Sequence, residues 1–163
     1  MPEPRSLAQP SARFVGDDGA PDPAVRNAIA GAAEPQGYAR ALAALCASRL
    51  LLPVVATGDD TGHPDPDRHA EMAAVTLSDA SGTYLLAFTG YDSLRAWQAD
   101  ARPVPCLLDE LCATVEPAGA THLLLDVAGP VPFVVGEDAV ALMAEGNALT
   151  ELEDGSFAWV RAE

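Results

Sequence analysis

The densest cluster of side chains able to do chemistry lies at residues 58–72, which read GDDTGHPDPDRHAEM. Five acidic side chains and two histidines within fifteen residues could bind a divalent metal ion. A zinc site needs three or four ligands whose geometry is imposed by a turn or a helix. Here Pro64 and Pro66 separate His63 from His69 and block a helix, so the two imidazoles cannot share a helical face. The spacing therefore disfavours zinc.

A calcium-binding loop of the EF-hand kind fits this stretch no better. With Glu71 at the twelfth position of such a loop, Asp60 is the first residue, and the third, fifth and sixth positions fall on Gly62, Pro64 and Asp65. Two ligand positions and the required glycine are then wrong. We therefore predict that this segment, the acidic loop (58–71), is a solvated connection between strands, with weak divalent-metal binding as the lesser alternative.

A second candidate is FTGYDSLRAW, residues 88–97, which reads as a strand entering a helix. Such a corner could present Thr89, Tyr91 and Asp92 at a binding surface, where N–H groups at the helix start could hold an anion or a carboxylate. The alternative is structural: the apolar side chains, Trp97 among them, form core, and the polar ones cap the helix. We favour the structural alternative and expect any binding site to lie at these four residues.

No familiar catalytic pattern occurs in the sequence. It contains no G-x-S-x-G, no G-x-G-x-x-G and no Walker loop, and all nine basic residues are arginine, which excludes a P-loop or Schiff-base lysine. The three cysteines include no C-x-x-C pair and read as free thiols in the core. We therefore predict no catalytic residues, no metal and no cofactor.

The bulk properties limit the partners and the location of the protein. A formal net charge of −15 argues against nucleic acid and anionic membranes, because both reward clustered positive charge. No apolar run reaches the length of a membrane span, and the N-terminus lacks the apolar core of a secretory signal. We expect a cytoplasmic protein whose partner is another protein, with a small molecule as the alternative.

The chain length of 163 residues suits one domain. Residues 1–13 are rich in proline and read as a tail, residues 14–146 as the domain, and residues 147–163 as a C-terminal hairpin packed on it or trailing it. Asp154-Gly155 lies between two short alternating runs, which is a strong hairpin signal.

Hydrophobic periodicity and turn residues predict the elements of the domain. In chain order they are a helix from the cap at Asp22, a helix over 36–48, strands over 49–57, 72–78 and 83–88, helices over 91–98 and 108–119 after a loop with Pro103 and Pro105, strands over 122–127 and 131–135, and a helix over 137–146. The order is ααβββααββα plus the C-terminal hairpin. Strands that come in hairpin pairs favour an α+β domain, with a mixed, mostly antiparallel sheet of about five strands and flanking helices.

Five stretches in this order resemble the N-terminal domain of SseB (enhanced serine sensitivity) proteins, in the form common in actinobacteria. They are FVGDDGAPDPAVRNAI, ASRLLLPVVA, EMAAVTLSDASGTYLLAFTGYDSLRAW, ARPVPC and LLLDVAGPVPFVV, and the resemblance extends from Phe14 to Val160. Positions that match the usual pattern are Pro53, Met72, Phe88, Thr89, Trp97, Pro103 and Pro105. The chain has Gly90 where family members commonly have serine, so a glycine caps the following helix.

The resemblance implies a bacterial cytoplasmic domain of obscure biochemical role, with no catalytic residues to carry over. Together with the lack of a catalytic pattern, it favours a non-enzymatic regulatory or protein-interaction domain. The alternatives are a small-molecule binding module or cryptic enzyme with a site near Thr89 to Asp92, and metal binding by the acidic loop.

Overall fold

A computed structural model describes residues 14–57 and 71–161 of the chain. Helices α1 to α5 span Pro23–Ala30, Pro35–Cys46, Tyr91–Trp97, Leu108–Val115 and Glu137–Ala144. Strands β1 to β9 span Leu50–Thr57, Glu71–Ala74, Thr76–Asp79, Gly82–Ala87, Arg102–Cys106, His122–Leu125, Phe133–Val135, Asn147–Glu151 and Phe157–Arg161. The predicted α+β class is confirmed. The tail and all but the last residue of the acidic loop lie outside the described residues, so the predictions made for them stay predictions.

The first helix begins at the predicted cap, and the second, predicted over 36–48, spans Pro35–Cys46. The Asp22 carboxylate accepts a hydrogen bond of 2.9 Å from the Ala24 N–H, and Pro23 occupies the first turn, where its missing N–H costs nothing. The two helices meet closely at their junction. A Cβ atom on Gly37 would overlap the Gly31 carbonyl, so only glycine fits at this contact.

The strands form a three-stranded sheet, β2-β1-β5, a four-stranded sheet, β3-β4-β6-β7, and the separate hairpin β8-β9. All pairs are antiparallel except β4 and β6, which are parallel. Leu51 of β1 and Phe88, just after β4, exchange two backbone hydrogen bonds of 2.8 Å. This bridge joins the first two sheets.

The predicted loop at Pro103 and Pro105 is wrong, because both prolines lie in strand β5. Pro105 is opposite Leu51, whose own N–H and carbonyl bond to Phe88 and therefore point away from β5. Each proline consequently directs its missing N–H off the sheet, where no ladder bond is lost. Proline read as a loop signal in the sequence, whereas here it forms an edge strand.

The single strand predicted over 72–78 is interrupted at Val75. Its first half, β2, pairs with β1, and its second half, β3, pairs with β4. The sequence predicted about five strands and a C-terminal hairpin. The described residues contain nine strands, because one predicted strand is divided into β2 and β3 and the predicted loop at 102–106 is strand β5.

The core has two parts on opposite faces of the strands. Helices α1, α2, α4 and α5 pack with Leu85 and Leu123 on one face. Leu86 and Leu124, one residue along in β4 and β6, face the smaller cluster around α3 and Leu94. β4 is therefore covered on both sides, which suits its continuous apolar sequence.

Candidate functional site

Polar side chains converge where the parallel strands β4 and β6 end. Thr89 follows β4 and Asp126 follows β6, and the carboxyl ends of parallel neighbours lie at the same edge of a sheet. Arg26 from α1, Arg49 before β1 and Asp92 of α3 complete the group. We call these five residues the polar corner.

Asp126 and Thr89 form the buried centre of the polar corner. Asp126 is only 1% exposed to solvent and Thr89 only 2%. One carboxylate oxygen of Asp126 accepts from the Thr89 N–H at 2.9 Å, and the other accepts from the Thr89 hydroxyl at 2.6 Å. Asp126 has φ of 54°, a left-handed conformation that aspartate tolerates better than most residues. The burial of this carboxylate is thus matched by two donors from a single residue.

Arg26 links this centre to the surface. Its Nε donates to the Thr89 hydroxyl oxygen at 3.1 Å, and its Nη1 and Nη2 donate to the two Asp92 oxygens at 2.7 and 2.6 Å. The forked pairing suits a planar guanidinium and a carboxylate. The hydrogen bond from Arg26 lowers the pKa of Asp92, and Asp92 raises the pKa of Arg26. A continuous chain of hydrogen bonds therefore runs from Asp92 to Asp126.

Arg49 ties the segment before α1 to the same place. Its Nε donates to Asp17 Oδ2 at 2.6 Å, its Nη1 to the Thr89 carbonyl at 3.2 Å and its Nη2 to the Ala20 carbonyl at 2.5 Å. One side chain thus connects residues 17–20 to the backbone at Thr89. Neither arginine was part of the sequence-based site.

The start of α3 is occupied by contacts within the protein. The Tyr91 N–H donates to the Gly19 carbonyl at 2.7 Å, and the Ser93 N–H donates to Asp92 Oδ1 at 2.8 Å. A Cβ atom on Gly90 would lie 2.8 Å from both Asp92 Oδ1 and Pro21 Cβ, so a serine here would require Pro21 to move.

The four residues of the predicted site have different surroundings. Thr89 is buried, Asp92 is exposed, and Tyr91 is half-buried with the Arg95 guanidinium 4.4 Å from the centre of its ring. Trp97 packs against Phe88, with ring centres 5.6 Å apart, in the smaller core cluster. The structure brings Thr89 and Asp92 together through Arg26, while the binding role of all four stays a prediction.

A shallow groove of about 440 Å³ lies elsewhere, between α2 and β8. Its lining residues are Arg40, Ala43, Ala44, Cys46, Ala47, Ala148, Leu149, Thr150 and Glu151. Arg40 and Glu151 form an ion pair of 3.1 Å within this lining. Burial raises the pKa of the Cys46 thiol, so the thiol stays protonated at neutral pH. We call this cavity the α2–β8 groove.

The hairpin β8–β9 carries large apolar side chains in contact with solvent. The exposed fraction is 38% for Trp159, 48% for Val160 and 44% for Leu152. Leu149, opposite Trp159 in the ladder, is buried against the domain. The hairpin is therefore anchored through β8 and exposed along β9.

Two further properties of the described residues bear on function. Within 14–57 and 71–161, no cluster of three or more His, Cys, Asp or Glu side chains could hold a metal ion. No helix in those ranges combines the length and the apolar character needed to cross a membrane.

The fold and its polar corner define an α+β domain in which sheets and helices meet at a polar network. The family described as SseB protein N-terminal domain matches residues 25–142, and the chain belongs to this family. The match contains all five residues of the polar corner and ends before β8. Comparison with curated proteins and with solved structures found no match in either set.

Proposed function

We propose that this SseB-family domain is a non-enzymatic, cytoplasmic regulatory or protein-interaction domain, of the form common in actinobacteria. The α2–β8 groove is the surface that binds the partner protein. The observation that carries this proposal is the groove itself, in which four of the nine lining residues are alanines. Small apolar side chains leave a concave surface that a larger apolar side chain can fill, which is how binding hot spots are built.

The charge around the groove indicates the chemistry of the partner. Burial, and to a smaller extent the charge of Asp109, raises the pKa of the Cys46 thiol in the groove. Glu151 is on the opposite wall, where Arg40 already pairs with it. The chain as a whole carries a formal net charge of −15. A partner segment with an apolar anchor and basic flanking residues would complement this surface.

Filling the groove tests the proposal. Ala47 is exposed in the groove at the end of α2, and Ala96 is also exposed, on α3 and away from the groove. We expect Ala47→Trp to reduce capture of the partner from a lysate of the native host by about tenfold or more, and Ala96→Trp to leave it unchanged. Thermal unfolding of both variants checks that they are folded. Equal capture by the two variants would count against the groove.

A second candidate is a small-molecule site at the polar corner. The supporting observation is that Thr89 and Asp126 lie at the carboxyl ends of adjacent parallel strands, where open α/β sheets bind ligands. An α-amino acid such as L-serine would reach the corner from its exposed end, where its carboxylate would replace that of Asp92 on the Arg26 guanidinium. This candidate predicts that millimolar L-serine raises the melting temperature of the wild type and not of Thr89→Val. No shift in the wild type would remove L-serine as the ligand.

A further inference from the structure

Strand β9 has an open edge in the part of the chain that the structure describes, because only β8 pairs with it. The Leu152 N–H donates to the Ser156 carbonyl at 2.7 Å, which fixes the alternation of the ladder. Ladder-bonded pairs recur at every second residue, so Ala158 and Val160 direct their N–H and carbonyl groups towards β8. The outward groups belong to Phe157, Trp159 and Arg161.

This edge lacks the protection that another edge strand has. The prolines of β5 remove donors from the outer side of that strand, as described above. β9 has the sequence FAWVR, with no proline and a single charge at its end. Trp159 and Val160 are also exposed on its two faces. An edge of this kind is a template for another strand.

We propose that β9 pairs antiparallel with β9 of a second copy of this chain, about a twofold axis through Trp159. This goes beyond the proposed function, since it concerns the edge of the hairpin and not the groove. The register is self-complementary. Trp159 faces Trp159 of the second copy, Phe157 faces Arg161, and Ala158 faces Val160, so each outward-directed residue meets another.

The side chains in this register support the pairing on both faces of the sheet. On one face the central row reads Leu149, Trp159, then Trp159 and Leu149 of the second copy, which is apolar throughout. On the other face Val160 meets Ala158 of the second copy. At each end of the interface, Arg161 lies beside Phe157 of the second copy. Glu151 of the second copy is on the far side of that Phe157, so the opposite charges of Arg161 and Glu151 are on the same face of the sheet.

The pairing would create one sheet of four strands from two hairpins. The twofold axis is perpendicular to the sheet, so it keeps both copies of α2 on the same face. The two α2–β8 grooves would then open on one side of the dimer, with the two tryptophans between them. The contact is small, so we expect association in the micromolar range.

Sedimentation velocity of the full chain gives the first test. We expect the mass to rise with concentration from 16.8 kDa to twice that value. Higher ionic strength should tighten the dimer, because it screens the repulsion between two chains of net charge −15. Trp159→Ser should weaken association by about tenfold or more. A wild type that stays monomeric at millimolar concentration and high salt overturns the proposal.

Cysteine cross-linking tests the register, in a Cys46→Ser background that removes the half-buried native thiol. Residues paired across the axis have Cα atoms about 5.5 Å apart, which is within disulfide range. Because replacing Trp159 also weakens association, we expect Trp159→Cys to form a disulfide-linked dimer under mild oxidation at about millimolar protein concentration. Val160→Cys, one residue away and opposite Ala158, places its two sulfurs too far apart. Equal cross-linking at 159 and 160 would contradict this register, and neither result affects the test of the groove.

Discussion

The polar corner and the C-terminal hairpin differ in whether their side chains contact the rest of the chain or the solvent. In the corner, Arg26 uses three nitrogens and Asp126 uses both carboxylate oxygens on other groups of the same chain. In the hairpin, the apolar side chains of Trp159 and Val160 contact solvent. The polar groups of the corner therefore form hydrogen bonds within the chain, whereas the apolar side chains of the hairpin remain exposed to solvent.

This difference teaches that a concentration of charged side chains is a poor guide to a binding surface. Charges that are buried must be paired, so the richest polar network in the described residues is also the one that holds the fold together. The surfaces that we propose for partners instead include the alanines of the α2–β8 groove and the exposed valine and tryptophan of β9. Substitutions in the polar corner should therefore cost more stability than substitutions on the outer face of the hairpin.

The largest effect should come from Asp126→Ala. It leaves the buried Thr89 N–H and hydroxyl without their acceptor and places alanine at a positive φ. We expect the free energy of unfolding to fall by about 3 kcal/mol or more, measured by urea denaturation. Asp126→Asn keeps an acceptor oxygen and tolerance of this backbone, so it should cost about half as much. A loss below about 1 kcal/mol for Asp126→Ala would show that the corner is not structural.

Two glycine caps provide the next comparison. Gly90 is the N-cap of α3, where a Cβ would press on Pro21 and Asp92. Gly136 is the N-cap of α5, and nothing lies within 4 Å of its Cβ position. Gly90→Ser should destabilise the protein by about 1–3 kcal/mol through overpacking. Gly136→Ser should be neutral or stabilising, because serine is a good N-cap. Melting temperatures of the two variants check this prediction, which the same change at both sites would refute.

A smaller, pH-dependent effect belongs to the exposed end of the corner. Because Arg26 lowers the pKa of Asp92, their pairing stabilises the folded state above the ordinary aspartate pKa of 3.8. That contribution is lost as the pH falls below 3.8 through the lowered pKa of the folded state. Asp92→Asn should remove this part of the acid sensitivity. At neutral pH its cost should be about 1 kcal/mol or less, because Asp92 is exposed.

Stability curves of the wild type and of Asp92→Asn between neutral pH and about pH 3 would show the difference narrowing as the carboxyl protonates. A constant difference across this range would mean that the pair with Arg26 contributes nothing through charge.

The smallest effect on folding should come from the outer face of the hairpin. Val160→Ser changes an exposed side chain, and we expect the free energy of unfolding to change by about 0.5 kcal/mol or less. Leu149→Ala, on the buried side of the same hairpin, should cost about 2 kcal/mol or more. A large loss for Val160→Ser in the monomer would mean that the hairpin contributes to the fold through both of its faces.

Local signals in the sequence predicted much of the secondary structure. Asp22 caps α1 as expected, and Asp154-Gly155 connects β8 to β9. Each of these signals depends on residues next to each other in the chain. The error at β5 has the same origin, since Pro103 is compatible with a strand only because of where its neighbour β1 lies.

The polar corner could be predicted only in part. Thr89 and Asp92 were identified from their position between strand and helix, but their partners are remote in sequence. Arg26 is 63 residues from Thr89, and Asp126 is 37 residues from it. Asp126 also read as part of a strand, because a positive φ in aspartate leaves no mark in the sequence. A contact between distant residues requires the strand order, which periodicity does not provide.

The parallel pairing of β4 with β6 has a consequence for how the chain folds during its synthesis. Tyr84 pairs with His122, so α3, β5 and α4 must all be made before the four-stranded sheet can close. The same delay applies to β1, because Leu50 cannot pair with Cys106 until that part of the chain has been synthesised. Pairings of such sequence separation cost loop entropy and slow folding. We therefore expect a nascent chain that ends before residue 122 to stay unfolded, with the leucines of β4 available to chaperones.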